Sequence, residues 1–248
     1  MKRVLSLILT ISVCCMSFVS VLGVSATIDT SKRLSVSTNT TGPRYIVDGN
    51  GNPVNLFGMA RCQYHASEEN VLFGNSVNDL VSHYRKFGIN YMRLAIDIND
   101  IVGATVSDSL SLTTDEAIDN YISTNIDPDV QAIISAGIYV GLDIHMYAPS
   151  NKNTPDEIIA YANNNYLPVL KRLAYIYKDE PMIANIEIWN EPNVGANSDA
   201  NVNTALRNFY ISAVQQLHAI DTTRIIMVSD SNSGWGYQIG VTWDGYID

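Results

Sequence analysis

Ala136-Gly-Ile-Tyr-Val-Gly-Leu-Asp-Ile-His-Met-Tyr147 carries a glycine, an apolar run and a polar end in one stretch. Gly137 suits the left-handed terminus of a preceding helix, and Ile138 to Ile144 reads as a strand buried on both faces. The same join stands earlier as Phe87-Gly88-Ile89, ahead of the apolar run Ile89 to Ile96. Two helices thus hand over to two strands by one device.

Working outward, Val77, Leu80, Val81 and Tyr84 recur three and four apart behind Ser76 and Asp79, which occupy capping-box positions. That spacing predicts an amphipathic helix closed by Gly88. Upstream, Tyr45 to Gly58 holds two short apolar stretches around a Gly/Asn turn, a hairpin whose second arm, Val54 to Met59, begins the main sheet. Asp127-Pro128 reads as the start of the helix that ends at Gly137. Thr154-Pro155-Asp156-Glu157 is a second capping box, opening a helical region through Leu167, Leu170, Leu173 and Tyr177. Ile183 to Trp189 is the fourth strand. Val202, Leu206, Phe209, Ala213 and Leu217 make another helix, and Arg224 to Ser229 a fifth strand.

Strands alternating with helices imply a parallel sheet, since each parallel crossover needs a helix-length connection. A doubly wound sheet would place a glycine-rich phosphate loop after its first strand, and Gly58-Met-Ala-Arg-Cys-Gln-Tyr-His65 has no such spacing. The expected fold is therefore an α/β (β/α)8 TIM barrel, incomplete, with about five of eight strands present. Three further units would need roughly 100 residues more.

The chain has 248 residues, enough for a substantial core, and 46% hydrophobic against 16% charged residues speaks against disorder and coiled coil. Lys and Arg total 15 against 25 Asp and Glu, a net charge of -10 that disfavours nucleic acid or an anionic membrane as partner. Lys2 and Arg3 precede an apolar run from Val4 to Val24, then Val24-Ser25-Ala26. Residues 1–26 are expected to be a cleaved signal peptide of a secreted, extracellular protein, which keeps no membrane contact after cleavage. The alternative is an uncleaved anchor, but no basic stop-transfer flank follows the run. Cys14 and Cys15 would leave with the leader, so Cys62 remains alone and no disulfide framework is expected. The Ser/Thr-rich stretch Thr27 to Thr41 reads as part of a flexible linker over residues 27–43, with residues 44–248 the catalytic domain.

Reactive groups of such a barrel sit at the carboxyl ends of its strands. Three strand ends here carry polar residues where core strands want Val, Ile and Leu: Arg93, His145, and Asn190-Glu191-Pro192. Asn185-Ile-Glu-Ile-Trp-Asn-Glu-Pro192 resembles the fourth strand of the cellulase family, glycoside hydrolase family 5, in clan GH-A of retaining glycosidases. The Arg of the second strand and the Asp-x-His end of the third stand in family order, and the resemblance spans roughly Tyr45 to Gly236. It implies that Glu191 is the catalytic acid/base and that Asn190 binds the sugar beside the cleaved bond.

Such cleavage needs a carboxylic acid to protonate the leaving oxygen and a second carboxylate about 5 Å away. Glu191 can be the first; Trp189 could give it an apolar wall. Glu187, four residues earlier, lies roughly 13 Å deeper and reads as structural. With Asp143 it could face the interior and pair with Arg93, for which that role and one in substrate binding, orienting the nucleophile, both stand. His145, with Tyr147 near the same strand end, is assigned to sugar binding, and Trp235 in Ser-Gly-Trp-Gly could stack on a sugar ring. His65 could reach the cleft. His83 and His218 sit within amphipathic helices.

Members of this family carry their nucleophilic Glu on the seventh strand, a His-x-Tyr on the sixth and a Trp on the eighth, none of which has a counterpart here. The expectation is the amino-terminal part of a longer enzyme, inactive and prone to aggregate alone, whose nucleophile lies beyond residue 248. The function expected is a secreted retaining endo-β-glycanase acting on polysaccharide, a β-1,4-glucan foremost, with mannan, xylan and mixed-linkage glucan open. The alternative is a non-catalytic carbohydrate-binding or cell-surface protein on a degenerate barrel. No cofactor and no metal are called for, since no calcium loop or Cys/His spacing is present.

Overall fold

A computed structural model describes residues 28–38, 42–62, 77–96, 114–145, 154–190, 192 and 200–229. A short antiparallel ribbon, β1 (Ser35–Val36) and β2 (Ile46–Val47), precedes five parallel strands: β3 (Gly58–Cys62), β4 (Tyr91–Ile96), β5 (Tyr139–Ile144), β6 (Ile183–Glu187) and β7 (Ile225–Met227). Each strand pairs only with its neighbours in sequence. That order has no switch point, so the right-handed crossovers all fall on one face. This is the (β/α)8 arrangement, with the described residues supplying its first five strands.

The sheet sorts its side chains by parity. Met92, Leu94, Ile96, Val140, Leu142, Ile144, Ile186 and Ile188 are buried in one core with Leu80, Val130, Ile133, Leu170, Leu173 and Phe209 from the helices. Tyr91, Arg93, Asp143, Asn185 and Glu187 take the opposite parity and bond to one another across the barrel interior. Interior and exterior thus differ in chemistry, which pins the register, because a one-residue slip would exchange them.

The helices are α1 (Val77–Arg85), α2 (Asp115–Tyr121), α3 (Asp127–Ser135), α4 (Pro155–Tyr161), α5 (Leu167–Tyr177) and α6 (Ala200–His218). Gly88 and Gly137 both sit at φ +75, with open space where a Cβ would stand, so the left-handed backbone alone requires glycine there. The capping box at Thr154 is formed: Thr154 Oγ1 accepts from Glu157 N at 3.3 Å, and Glu157 Oε2 accepts from Thr154 N at 3.1 Å. Ser76, assigned to cap α1, lies outside the described residues.

Three readings change. Asp127-Pro128 opens α3 as read, but not the helical region: Thr114 caps α2, and a π-helical turn, Ile122–Ile126, carries the chain into α3. The same construction recurs 40 residues later as Thr154, α4, a π turn Ala162–Tyr166, and α5 with Pro168. Proline lacks the N–H and crowds the preceding turn, and one widened turn absorbs it. Asn125 Nδ2 donates to Tyr121 O at 3.2 Å and Asn165 Nδ2 to Tyr161 O at 2.8 Å, so an amide side chain meets the loosened backbone in each repeat.

The extent of the hairpin is the second change. Ile46–Val47 pairs with Ser35–Val36, touches its other arm only through the Val47–Pro53 bridge, and the main sheet begins at Gly58. The bridge is made by Asp48 N bonding Asn52 O at 2.9 Å and Val54 N bonding Ile46 O at 2.8 Å, so the turn between the arms closes as read. The linker is the third, for Thr30–Lys32 forms a 3-10 turn, β1 follows, and Leu34 is buried. Arg33 Nη1 bonds Asp221 Oδ2 at 3.0 Å, and its Nη2 caps the Lys178 carbonyl near the end of α5. Arg224 reaches the same carboxylate, with Nε 3.1 Å from Asp221 Oδ2, and the Tyr177 carbonyl at 2.8 Å. Ser/Thr composition hid an arm whose order comes from these tertiary contacts.

Two predictions follow from this packing. An added Cβ at Gly141 would overlap the Tyr91 hydroxyl and come within 2.8 Å of Asn185 Oδ1, so Gly141→Ala should destabilise the fold by roughly 1–3 kcal/mol in urea unfolding with an unchanged m-value. Burial would raise the Asp221 pKa, but Arg224 and Arg33 outweigh it and hold the carboxyl below its ordinary 3.8. Its stabilisation is complete above that value and is lost as pH falls below it. Asp221→Asn should therefore flatten the acid limb of the stability-against-pH curve, and an unaltered limb would contradict the assignment.

Candidate active site

The strand ends lie level with one another. His145 N bonds Ile96 O at 2.9 Å and Asn190 N bonds Ile144 O at 3.0 Å, so the ladder runs past the ends of β5 and β6 and fixes both residues at one rim. Pro192 is buried. Glu191, between them in the chain, lies outside the described residues, as do Tyr147, Trp235 and His65.

Below this rim Arg93 is the junction. Its Nε donates to Glu187 Oε2 at 2.8 Å and its Nη2 to Glu187 Oε1 at 3.0 Å, the planar fork matching the carboxylate. Nη2 also donates to Asn190 Oδ1 at 2.7 Å and lies 2.9 Å from Asp143 Oδ2. Asp143 Oδ2 in turn meets His145 Nδ1 at 2.9 Å. Ser229 Oγ donates to Glu187 Oε1 at 3.3 Å, which brings the end of β7 into the cluster. Arg93, Asp143, His145, Glu187 and Asn190 are thus one connected network across three strands.

Its electrostatics follow from burial. The Asp143 side chain is 0% exposed and that of Glu187 8%, so two acids share one guanidinium away from water. Burial pushes the Asp143 carboxyl up; the His145 hydrogen bond opposes this, Glu187 reinforces it, and Arg93 opposes it. Burial disfavours the charge on Arg93, yet the Glu187 hydrogen bond and the two carboxylates hold its pKa above the ordinary value. One floor down, Tyr91 Oη donates to Asn185 Oδ1 at 3.0 Å, and burial with the Glu187 charge raises the phenol to about 12.

The arrangement orients an amide. A guanidinium can only donate, so the atom of Asn190 facing Arg93 is its oxygen, and the NH2 group remains a donor for whatever occupies the rim. Trp189 does not wall this site. It is fully buried in the helix layer, edge-on to Tyr166 at 5.2 Å and to Phe209 at 6.1 Å. Cys62 is buried at the end of β3. Sequence reasoning passed over Tyr91, Asn185 and Ser229; the period-two polar positions Tyr91/Arg93, Asp143/His145 and Asn185/Glu187 were the signal for the first two.

A family profile described as Cellulase (glycosyl hydrolase family 5) matches residues 47–247. The chain belongs to that family. Among solved structures it is similar to a thermostable, halotolerant GH5 cellulase from an Icelandic hot spring isolate, at 20% identity and TM-score 0.58, covering 83% of this chain and 55% of that one. It is also similar to the catalytic domain of a Thermobifida fusca endoglucanase in complex with cellotetraose, at 16% identity and TM-score 0.52, covering 81% and 55%. An endogalactoceramidase matches at 16% identity and TM-score 0.58, covering 82% and 54%. The chain therefore spans about half the length of these structures, which share the family's barrel. No curated protein sequence matches it.

In this member of the family the network makes a stability prediction. Arg93→Ala leaves two buried carboxylates facing each other and should cost about 3 kcal/mol, whereas Arg93→Lys keeps the charge without the fork and should cost less. Urea unfolding of both variants checks the order; equal losses would remove the fork from the account.

Proposed function

We propose that these residues are the amino-terminal part of a secreted retaining endo-β-glycanase, with Glu191 its general acid/base and a β-1,4-glucan its substrate. One observation carries the reading: Arg93 clamps the Asn190 oxygen at the rim where His145 also ends its strand, directly before Glu191 in the chain. An amide held in that sense donates to a sugar hydroxyl, and its neighbour is a carboxyl group of the kind glycoside cleavage needs.

In the proposed cycle Glu191 gives its proton to the departing glycosidic oxygen while a second carboxylate, about 5–5.5 Å away, attacks the anomeric carbon. Glu191 then takes a proton from the water that releases the sugar. Asp143 and Glu187 outnumber Arg93, and this excess negative charge favours the protonated form of a nearby acid. None of the described carboxylates stands as the second group, for Asp143 and Glu187 are bound to Arg93. The nucleophile is assigned to a later strand, in keeping with a chain that spans about half of its solved relatives. Met59 and Met227, on the two edge strands, are each 44% exposed, as expected where further strands close the barrel.

The choice of glucan follows the cellulases among the relatives; an endogalactoceramidase on the same fold shows that the barrel alone does not select it. Export follows Lys2, Arg3 and the apolar run behind them. In the full-length protein, Glu191→Ala should lower hydrolysis of an unactivated β-1,4-glucan by roughly 10²–10⁴-fold. Aryl glycosides with good leaving groups should lose less, and glucan binding should persist. Undiminished hydrolysis of the polysaccharide would remove Glu191 from the mechanism.

A further inference from the structure

The end of β6 breaks its own alternation. In β5 the odd-numbered residues bond toward β4 from one end to the other, from Tyr139 N on Asn90 O at 2.9 Å to His145 N on Ile96 O at 2.9 Å. Asp143 and His145 accordingly share one face. In β6, Ile188 N bonds toward β7 through Met227 O at 3.0 Å, yet Asn190 N, two residues on, bonds toward β5 through Ile144 O at 3.0 Å. A regular strand would send both to the same neighbour. Asp143 lies opposite Glu187, so the bond that Asn190 makes to Ile144 is the one residue 189 would make in unbroken register. One extra residue has entered the strand, as in a β-bulge.

Trp189 is that residue. Ile188 and Trp189 are both fully buried in the helix-side core, and the next side chain to reach Arg93 after Glu187 is Asn190. The Trp189 ring stands edge-on to Tyr166 of the π turn at 5.2 Å and to Phe209 of α6 at 6.1 Å. Tyr166 is in turn edge-on to Tyr161 at 5.4 Å. The position in the earlier π turn that matches Tyr166 is Ile126, and β5, the strand that follows it, keeps its alternation. In unbroken alternation residue 189 would point into the barrel above Glu187, and Asn190 would face the helices, away from Arg93.

We propose that Trp189 is a positioning residue of this site: its ring, held in the helix layer by Tyr166 and Phe209, fixes the extra residue in β6 and so turns Asn190 onto Arg93 and sets the backbone from which Glu191 projects. Burying the indole against two rings favours this phase over the regular one, which would bring the ring into the cleft. Pro192, buried and restricted in φ, holds the chain on the far side of residue 191. The inference rests on the proposed function for the role of Glu191, while the phase of the strand stands independently of it.

Amide hydrogen exchange and hydrolysis, both on the full-length protein, test it. In Trp189→Leu the Asn190 amide should exchange roughly tenfold faster while the amides of Leu94 and Leu142 keep their rates. Hydrolysis of an unactivated β-1,4-glucan should fall roughly ten- to hundred-fold in kcat, because a displaced acid is no longer aligned with the leaving oxygen. An aryl glycoside with a good leaving group needs that acid little and should lose less than about threefold. Trp189→Phe keeps a ring against the helix layer and should lose less on each readout. Equal losses on the two substrates, or exchange accelerated equally at all three amides, would mean a lowered folded fraction alone and would overturn the proposal. An Asn190 amide that keeps its rate would overturn it too. Phe209→Leu thins the clamp from the helix side and decides the matter where Trp189→Leu does not fold: both readouts should move in the same direction, and a folded variant that moves neither contradicts the proposal. If the unaltered protein hydrolyses no β-glucan, the proposed function fails, and exchange at Asn190 alone decides the role of Trp189.

Discussion

Two carboxylates, Asp143 and Glu187, are taken out of water on neighbouring strands and given one guanidinium to share. Such a group of charges contributes little net stability, because desolvation offsets most of the attraction, but it is costly to break. What it adds is direction. The fork of Arg93 fits Glu187 in only one plane, and in that plane Nη2 also reaches Asn190 and lies against Asp143. The orientation of the rim amide, and of the His145 ring held by Asp143, follows from where Arg93 is pinned.

The rest of the fold serves that position. β4, β5 and β6 run parallel, with one register shift between β5 and β6 at Val140/Gly141; beyond it Arg93 lies opposite Gly141 and Asp143 opposite Glu187, so the polar interior residues fall on two floors. Gly141 leaves room for Tyr91 to lean across to Asn185, and this lower floor supports the charged one above it. Outside, the apolar parity of the same strands is covered by helices whose prolines are absorbed by π turns. At the opposite end of the strands, Arg33 ties the amino-terminal arm to Asp221 and to the end of α5.

Much of this was legible in the residues. Gly88 and Gly137 marked two helix-to-strand joins, the apolar runs marked four of the five barrel strands, and Asn190, His145 and Arg93 stood out as polar groups where strands end. Local signals failed where the cause was not local. Pro128 marked the start of α3 correctly, but a single proline cannot say that a helix and a widened turn lead into it. The stretch from Thr27 to Thr41 looked like a linker because the contact that holds its described part, residues 28–38, is with Asp221, nearly two hundred residues away. The pairing of Glu187 and Asp143 with Arg93 could be raised as one reading from strand parity but not chosen, since parity gives a face and not a distance. Trp189 follows β6, where the regular alternation has ended, and it turned to the helices instead of the cleft.

The central claim is that this buried network presents Asn190 and the residue after it to a glycan. A crystal structure of the full-length protein carrying Glu191→Gln, with cellotetraose bound, tests it most directly. The account predicts the residue 191 side chain within about 3 Å of a glycosidic oxygen, the Asn190 NH2 on the adjoining sugar, and Arg93 still bound to the Asn190 oxygen. A residue 191 side chain turned toward the helices, or an oligosaccharide seated away from Asn190 and His145, would contradict it.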